Sequence, residues 1–249
     1  MTTLEHERML GGKGANQSIA LARAGADIHH IGATNAEDGW LRAEMAGAGV
    51  DITGVQDSNL ATGHAIVTVS ADGENQIMLY PGANHDIDMA RAGDGLAEAG
   101  PGDWALLQNE TNGAGEFVAA ARERGMKIAY SAAPFDAAVT ASLLPQTDLL
   151  VVNEGEAAAL SDMLAKPAAE AGIPHLVVTR GGAGADYTGI DGTLHSPAFA
   201  VTPVDTTGAG DCFFGFLLAA MAAGKPVKTA LREALSLIHI SEPTRPLYI

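Results

Sequence analysis

Between residues 105 and 179, short apolar runs alternate with helical patterns, and that alternation restricts the fold more than any other feature of the chain. Residues 105–108, 127–130, 149–152 and 176–179 are apolar runs, while residues 115–124 and 154–164 carry helical patterns. Such alternation predicts an α/β fold: a mainly parallel sheet with helices on both faces. Ligands of such sheets sit beyond the carboxyl ends of the strands, so the polar residues that follow the strands are the ones to read.

The first third reads as helix, strand, helix, strand. Residues 27–31 are expected to form a short strand, Asp38 to cap a helix over 39–48, and residues 50–55 to lead into the next element. The runs starting at His64 and Gln76 flank Asp72-Gly73 and predict a β-hairpin. With 249 residues, 47% of them hydrophobic, the chain suffices for one sizeable α/β domain.

Charge and cysteine usage exclude several classes. A net charge of −16 and a pI near 4.7 argue against nucleic acid or anionic membranes as partners. No apolar stretch is long enough to span a bilayer, and no secretory signal is visible. The single cysteine, Cys212, rules out an internal disulfide and fits a reducing cytoplasm. It reads as small buried filler rather than as a nucleophile, because no histidine is paired with it in the sequence.

Two glycine-rich segments carry the chemistry. Residues 204–215 read V-D-T-T-G-A-G-D-C-F-F-G and then run into an apolar helical pattern. Small residues at a helix start leave backbone N–H groups bare and close to an anion. Asp211 stands in the first turn beyond Gly208-Ala209-Gly210, where a carboxylate can deprotonate an alcohol attacking a phosphoryl group. An N-terminal capping acid is the plainer reading. The second segment, Gly11-Gly12-Lys13-Gly14-Ala15-Asn16, opens a helix toward Gly25. It matches neither the P-loop nor the dinucleotide fingerprint. Its glycines admit a ligand to the backbone, and Lys13 and Asn16 add donors; a tight turn feeding a helix is the alternative.

Together the two segments resemble the signatures of the ribokinase family, the sugar kinases of the phosphofructokinase-B type, in the right order and separation over roughly residues 11–235. The resemblance implies a ribokinase-like three-layer sandwich with a small β lid at about residues 62–82, which pairs in family dimers, so a homodimer through the lid is a further expectation. It implies ATP-dependent phosphorylation of a sugar primary hydroxyl, ribose first. Asp211 would be the general base, with the backbone of Gly208, Ala209 and Gly210 stabilising the transferring group. Sugar binding would fall to Gly12, Lys13, Gly14, Ala15, Asn16 and Glu110, besides Asp211. Asn153 and Glu156, after the strand 149–152, would lie near the triphosphate and its Mg²⁺, although the pair also fits a helix cap. Thr179, Gly181, Gly182, Ala183 and Gly184 would face the nucleotide together with Gly210, although they also fit a hairpin turn. Asp205 and Thr207 would belong to a K⁺ loop, although an Asp–Thr turn bond without an ion is the plainer reading.

The histidines show no metal-ligand spacing and read as structural or surface residues. Residues 1–10 are too few for the opening strand and Asn-x-Asp segment of the family. Residues 236–249 carry two prolines and no helical period, and read as a non-native tail. Both departures predict a poorly active chain. The other readings are a kinase for another sugar or a nucleoside, and a non-catalytic ligand-binding protein on the same scaffold.

Overall fold

The computed structural model describes residues 8–69, 75–200 and 207–237. In chain order the elements are α1 (Lys13–Arg23), β1 (Gly32–Asn35), α2 (Gly39–Gly47), β2 (Val55–Ser58), β3 (His64–Val69), β4 (Asn75–Tyr80), α3 (Met89–Asp94), β5 (Trp104–Leu107), α4 (Ala114–Glu123), β6 (Lys127–Ser131), α5 (Ala137–Leu143), β7 (Leu149–Asn153), α6 (Glu154–Leu164), β8 (His175–Thr179), β9 (Ala185–Gly189), β10 (Gly192–Ser196), α7 (Ala209–Ala222) and α8 (Val227–Leu237).

The main sheet has the order β10-β9-β8-β7-β6-β5, parallel from β5 to β8 and antiparallel at the β8-β9-β10 edge. The period of two along each strand divides the core between the two faces. Leu149 and Val151 of β7 pack with α7 and α8, whereas Leu150 and Val152 join the residues of α4 to α6. Helices therefore cover both faces, giving the expected α/β three-layer arrangement. The antiparallel edge was not expected from the sequence, because β9 and β10 alternate polar and apolar residues and lack the apolar runs of buried strands.

Four strands stand apart from the main sheet, in two two-stranded sheets. β1 pairs with β2 in parallel, starting at Gly32↔Val55. The expected strand over 27–31 is reduced to one bridge, His29↔Asp51. A strand is defined by its partner, and the regular ladder with β2 begins only at Gly32. The predicted hairpin is present as β3 and β4, antiparallel with Ile66 opposite Met78, while the Asp72-Gly73 turn lies outside the described residues. The predicted helix over 39–48 forms, but Asp38 does not cap it. Its φ/ψ of −91°/36° leave the extended conformation a cap requires, and its carboxylate accepts from the Thr62 hydroxyl and Arg8 instead. No described helix is long and apolar enough to cross a membrane.

The contact that positions the site is the packing of α1 on α7. A Cβ at Gly215 would lie 2.6 Å from Ala20 Cβ and 2.9 Å from the Gln17 carbonyl. Only glycine lets the helices approach this closely, and the approach sets their N-terminal ends side by side.

Candidate active site

Both glycine-rich segments end at helix N-termini. Gly12, at φ 94°, precedes α1, and Gly208, at φ 72°, precedes α7. Positive φ suits glycine, and a glycine N-cap has no side chain to place over the first-turn N–H groups, so a ligand can approach them. A Cβ at Gly208 would come 3.2 Å from Asn16 Nδ2, so the absence of a side chain there also lets the two segments meet.

Asp211 sits where they meet. Its Oδ2 accepts from Asn16 Nδ2 at 3.0 Å and its Oδ1 from Gln17 Nε2 at 2.9 Å. Burial raises the Asp211 pKa; the two amide donors and Lys13 pull it down, and Glu110 pushes it up. The carboxylate is thus held by polar groups of the lysine-bearing helix, not sealed in hydrocarbon.

Lys13 Nζ forms an ion pair with Glu110 Oε1 at 2.7 Å, both side chains about a quarter to a third exposed. Glu110 follows β5, where the carboxyl-end rule directs attention. Both residues wall a cleft of ≈ 2110 Å³ that also runs between β1 and β5. Asp211 is partly exposed and is tied to Asn16 and Gln17 of α1, next to the residues that wall this cleft. Asn16 Oδ1 is buried and has no hydrogen-bond partner among the described residues, which leaves an acceptor beside the carboxylate.

Asn153 and Glu156 form a full capping box at the start of α6: Asn153 Oδ1 accepts from the Glu156 N–H at 2.9 Å, and the Asn153 N–H donates to Glu156 Oε2 at 2.8 Å. Glu156 is partly buried there. Burial raises its pKa, Lys13 lowers it, and Asp211 raises it, so Glu156 shares the electrostatic field of the site. Thr179 ends β8, and Gly181–Ala183 form a 3-10 turn into β9, so the hairpin alternative is the local geometry. Gly184 has a structural reason of its own: at φ 104°, a Cβ would lie 2.1 Å from the Ser196 carbonyl. Thr207 directly precedes Gly208, and Asp205 lies outside the described residues.

Two site residues escaped the sequence reading. Gln17 donates to Asp211, and Gln108 Nε2 donates to Gln17 Oε1. A signal existed: Gln17 directly follows the motif and precedes the apolar run that begins at Ile19. Gln108 was hidden because it reads as the last residue of an apolar strand. Cys212 is buried at 1% exposure in the α7 core, as expected of a filler.

A glycine-lined pair of helix ends, a half-buried carboxylate between them and an ion-paired lysine at the cleft are the kinds of group that phosphoryl transfer to an alcohol requires. The chain belongs to the pfkB family of carbohydrate kinases, whose family model matches residues 4–237. It is 33% identical over 233 residues to the ribokinase of Bacillus subtilis, covering 90% of this chain and 78% of that protein. The fold matches the structure of Arabidopsis thaliana ribokinase complexed with ribose and ATP at a TM-score of 0.82 and 26% identity, covering 96% of this chain and 83% of that one. It also matches Burkholderia thailandensis nucleoside kinase in complex with inosine, at a TM-score of 0.77 and 26% identity over 92% and 77% of the two chains.

Proposed function

We propose that this carbohydrate kinase transfers the γ-phosphoryl group of ATP to the primary hydroxyl of ribose, giving ribose 5-phosphate and ADP. The observation that carries the mechanism is the Asp211 carboxylate, held by Asn16 and Gln17 one helical turn from Lys13. Asp211 takes the hydroxyl proton as the sugar oxygen bonds to phosphorus and the bond to the ADP oxygen breaks. The N–H groups of Ala209 and Gly210 receive the charge that spreads over the transferring group, so positioning and electrostatics supply most of the acceleration. The Lys13–Glu110 pair opens to the sugar, with Lys13 donating to a hydroxyl oxygen and Glu110 accepting from hydroxyl groups. Asn16 Oδ1 accepts a further hydroxyl.

The nucleotide would lie across α6 and the β8-β9 turn, with Thr179 and Gly184 flanking the exposed Gly181, Gly182 and Ala183. Glu156 fits a role beside Mg²⁺: its Oε2 is engaged by the Asn153 N–H, which leaves Oε1 to accept from a water on the ion. Mg²⁺ would neutralise charge on the triphosphate. Asp205 and Thr207 are proposed for K⁺ on their motif, with turnover in potassium against sodium salts as the check. The lid leaves Ile66, Val67, Met78 and Leu79 exposed, Leu79 at 71%, which supports pairing with a second lid. A cytoplasmic location is proposed from the single, buried cysteine.

The likeness to a nucleoside kinase supports nucleosides as a second acceptor class. Phosphorus NMR of the purified chain with ATP and ribose, deoxyribose or inosine tests the choice. A ribose 5-phosphate signal formed fastest from ribose supports the proposal; product from inosine alone selects the nucleoside reading. Absence of product from every acceptor, together with no calorimetric binding of ribose, overturns both.

A further inference from the structure

We propose that Gln17, clamped by Gln108, is a positioning residue that fixes the aim and the proton affinity of Asp211. The inference deepens the proposed function, since it takes Asp211 as the base. Gln17 is 1% exposed, so its amide must find partners inside the protein. It has two: Nε2 donates to Asp211 Oδ1 at 2.9 Å, and Oε1 accepts from Gln108 Nε2. The second bond dictates the first. An amide whose oxygen is held by Gln108 can present only its NH₂ to Asp211. Turned over, it would set its NH₂ against the Gln108 NH₂ and its oxygen against a carboxylate oxygen. Gln17 is buried with both ends of its amide engaged, whereas Asp211 is partly exposed, so Gln17 acts through Asp211 rather than on a ligand.

The relay has a useful geometry. Gln108 immediately precedes Asn109 and Glu110, and its Oε1 lies 3.5 Å from where a Cβ on Gly14 would stand. Asn109 is itself pinned, accepting from the Tyr130 hydroxyl at 2.7 Å and donating to the Pro134 carbonyl at 2.9 Å. The segment bearing Glu110 is therefore joined through two amides to the carboxylate on α7. A displacement of that segment reaches Asp211 as a change in one hydrogen bond. The charged groups facing Asp211 are Lys13 from α1, Glu110 from the segment after β5, and Glu156 from α6. Gln17 adds a fixed, uncharged donor among them, and a hydrogen bond to the ionised form lowers proton affinity.

The test is a carboxyl-carbon NMR titration of the 249-residue chain labelled at aspartate, with the Asp211 signal assigned by its loss in Asp211→Asn. Gln17→Leu keeps the bulk and removes the donor. It is expected to bind the Asp211 proton about tenfold more tightly. Gln108→Glu reverses the clamp, because its carboxylate draws the Gln17 NH₂ toward itself and leaves the Gln17 oxygen facing Asp211. It should raise proton affinity more than Gln108→Leu, which merely frees the amide. In turnover assays the same variants should move the acid limb of the kcat profile to higher pH, with little change in KM for the sugar. An Asp211 titration that coincides with wild type in either Gln17→Leu or Gln108→Glu, whichever is folded by its NMR spectrum, overturns the proposal. A purely packing role would give that coincidence. A shifted titration combined with undiminished turnover in Asp211→Asn would retain the relay and reject Asp211 as the base.

Discussion

Burial raises the proton affinity of Asp211, so between the ordinary carboxylate pKa and its own the native state binds more protons than the unfolded chain. Stability then falls as pH rises through that window. Replacing Asp211 by Asn removes the titration, and the melting temperature of Asp211→Asn minus that of wild type should become more positive from acid to neutral pH. A difference independent of pH in thermal scans would contradict this. His30 has the opposite sign. Burial, with the charge of His29, lowers it from 6.5 to about 4, and its Nδ1 meets the Ser18 hydroxyl at 2.8 Å. Here the unfolded chain binds more protons, so the contribution is complete above pH 6.5 and is lost as pH falls toward about 4. His30→Gln should flatten that acid loss, measured by urea midpoints across the window. At this scale the sequence pointed to Lys13, Asn16 and Asp211 through the two glycine-rich segments and to Glu110 through the family resemblance, and the structure pairs Lys13 with Glu110 and Asn16 with Asp211. It did not identify Gln17, Gln108 or His30, whose roles depend on which buried polar atoms happen to meet.

The helices owe their arrangement to a glycine that the motif reading passed over. Gly215 stands beneath α1, and a Cβ there would overlap both Ala20 and the Gln17 backbone. Gly215→Ala should therefore cost about 1–3 kcal/mol, the usual range for overpacking. It should also weaken the Gln17–Asp211 bond by pushing the helix ends apart. Denaturant unfolding checks the first effect and the Asp211 titration the second; a neutral substitution would show that α1 and α7 can part freely. Elements buried on both faces, such as β6 and β7, were legible because their apolar runs have no alternative home. The antiparallel β9 and β10 and the shifted β1 were not, since partner choice and register, rather than local pattern, decide them. Asp38 shows the same limit: its sequence suits a cap, but tertiary bonds to Thr62 and Arg8 take the carboxylate.

Across the whole molecule, the cleft between β1 and β5 divides a well-knit sheet from a two-stranded ribbon. β7 is paired on both sides, whereas among the described residues β1 and β2 pair only with each other. Two-stranded sheets are marginal without extensive packing. Amide hydrogen exchange should accordingly be fast in β1 and β2 and slowest in β7 and β8, in line with local opening of the less supported unit. Equal protection in all four strands would contradict that division. The overall class was legible from the 105–179 alternation, and the division of the sheet was not, because it depends on pairing between distant segments.

The claim on which the account rests is that Asp211 removes the proton from the attacking hydroxyl. Single-turnover phosphoryl transfer by wild type and Asp211→Asn, with calorimetric binding of ribose and an ATP analogue in parallel, tests it most directly. The account predicts a loss of roughly 10²–10⁴ in the rate constant with binding of both ligands retained. Transfer by Asp211→Asn at the wild-type rate would contradict it.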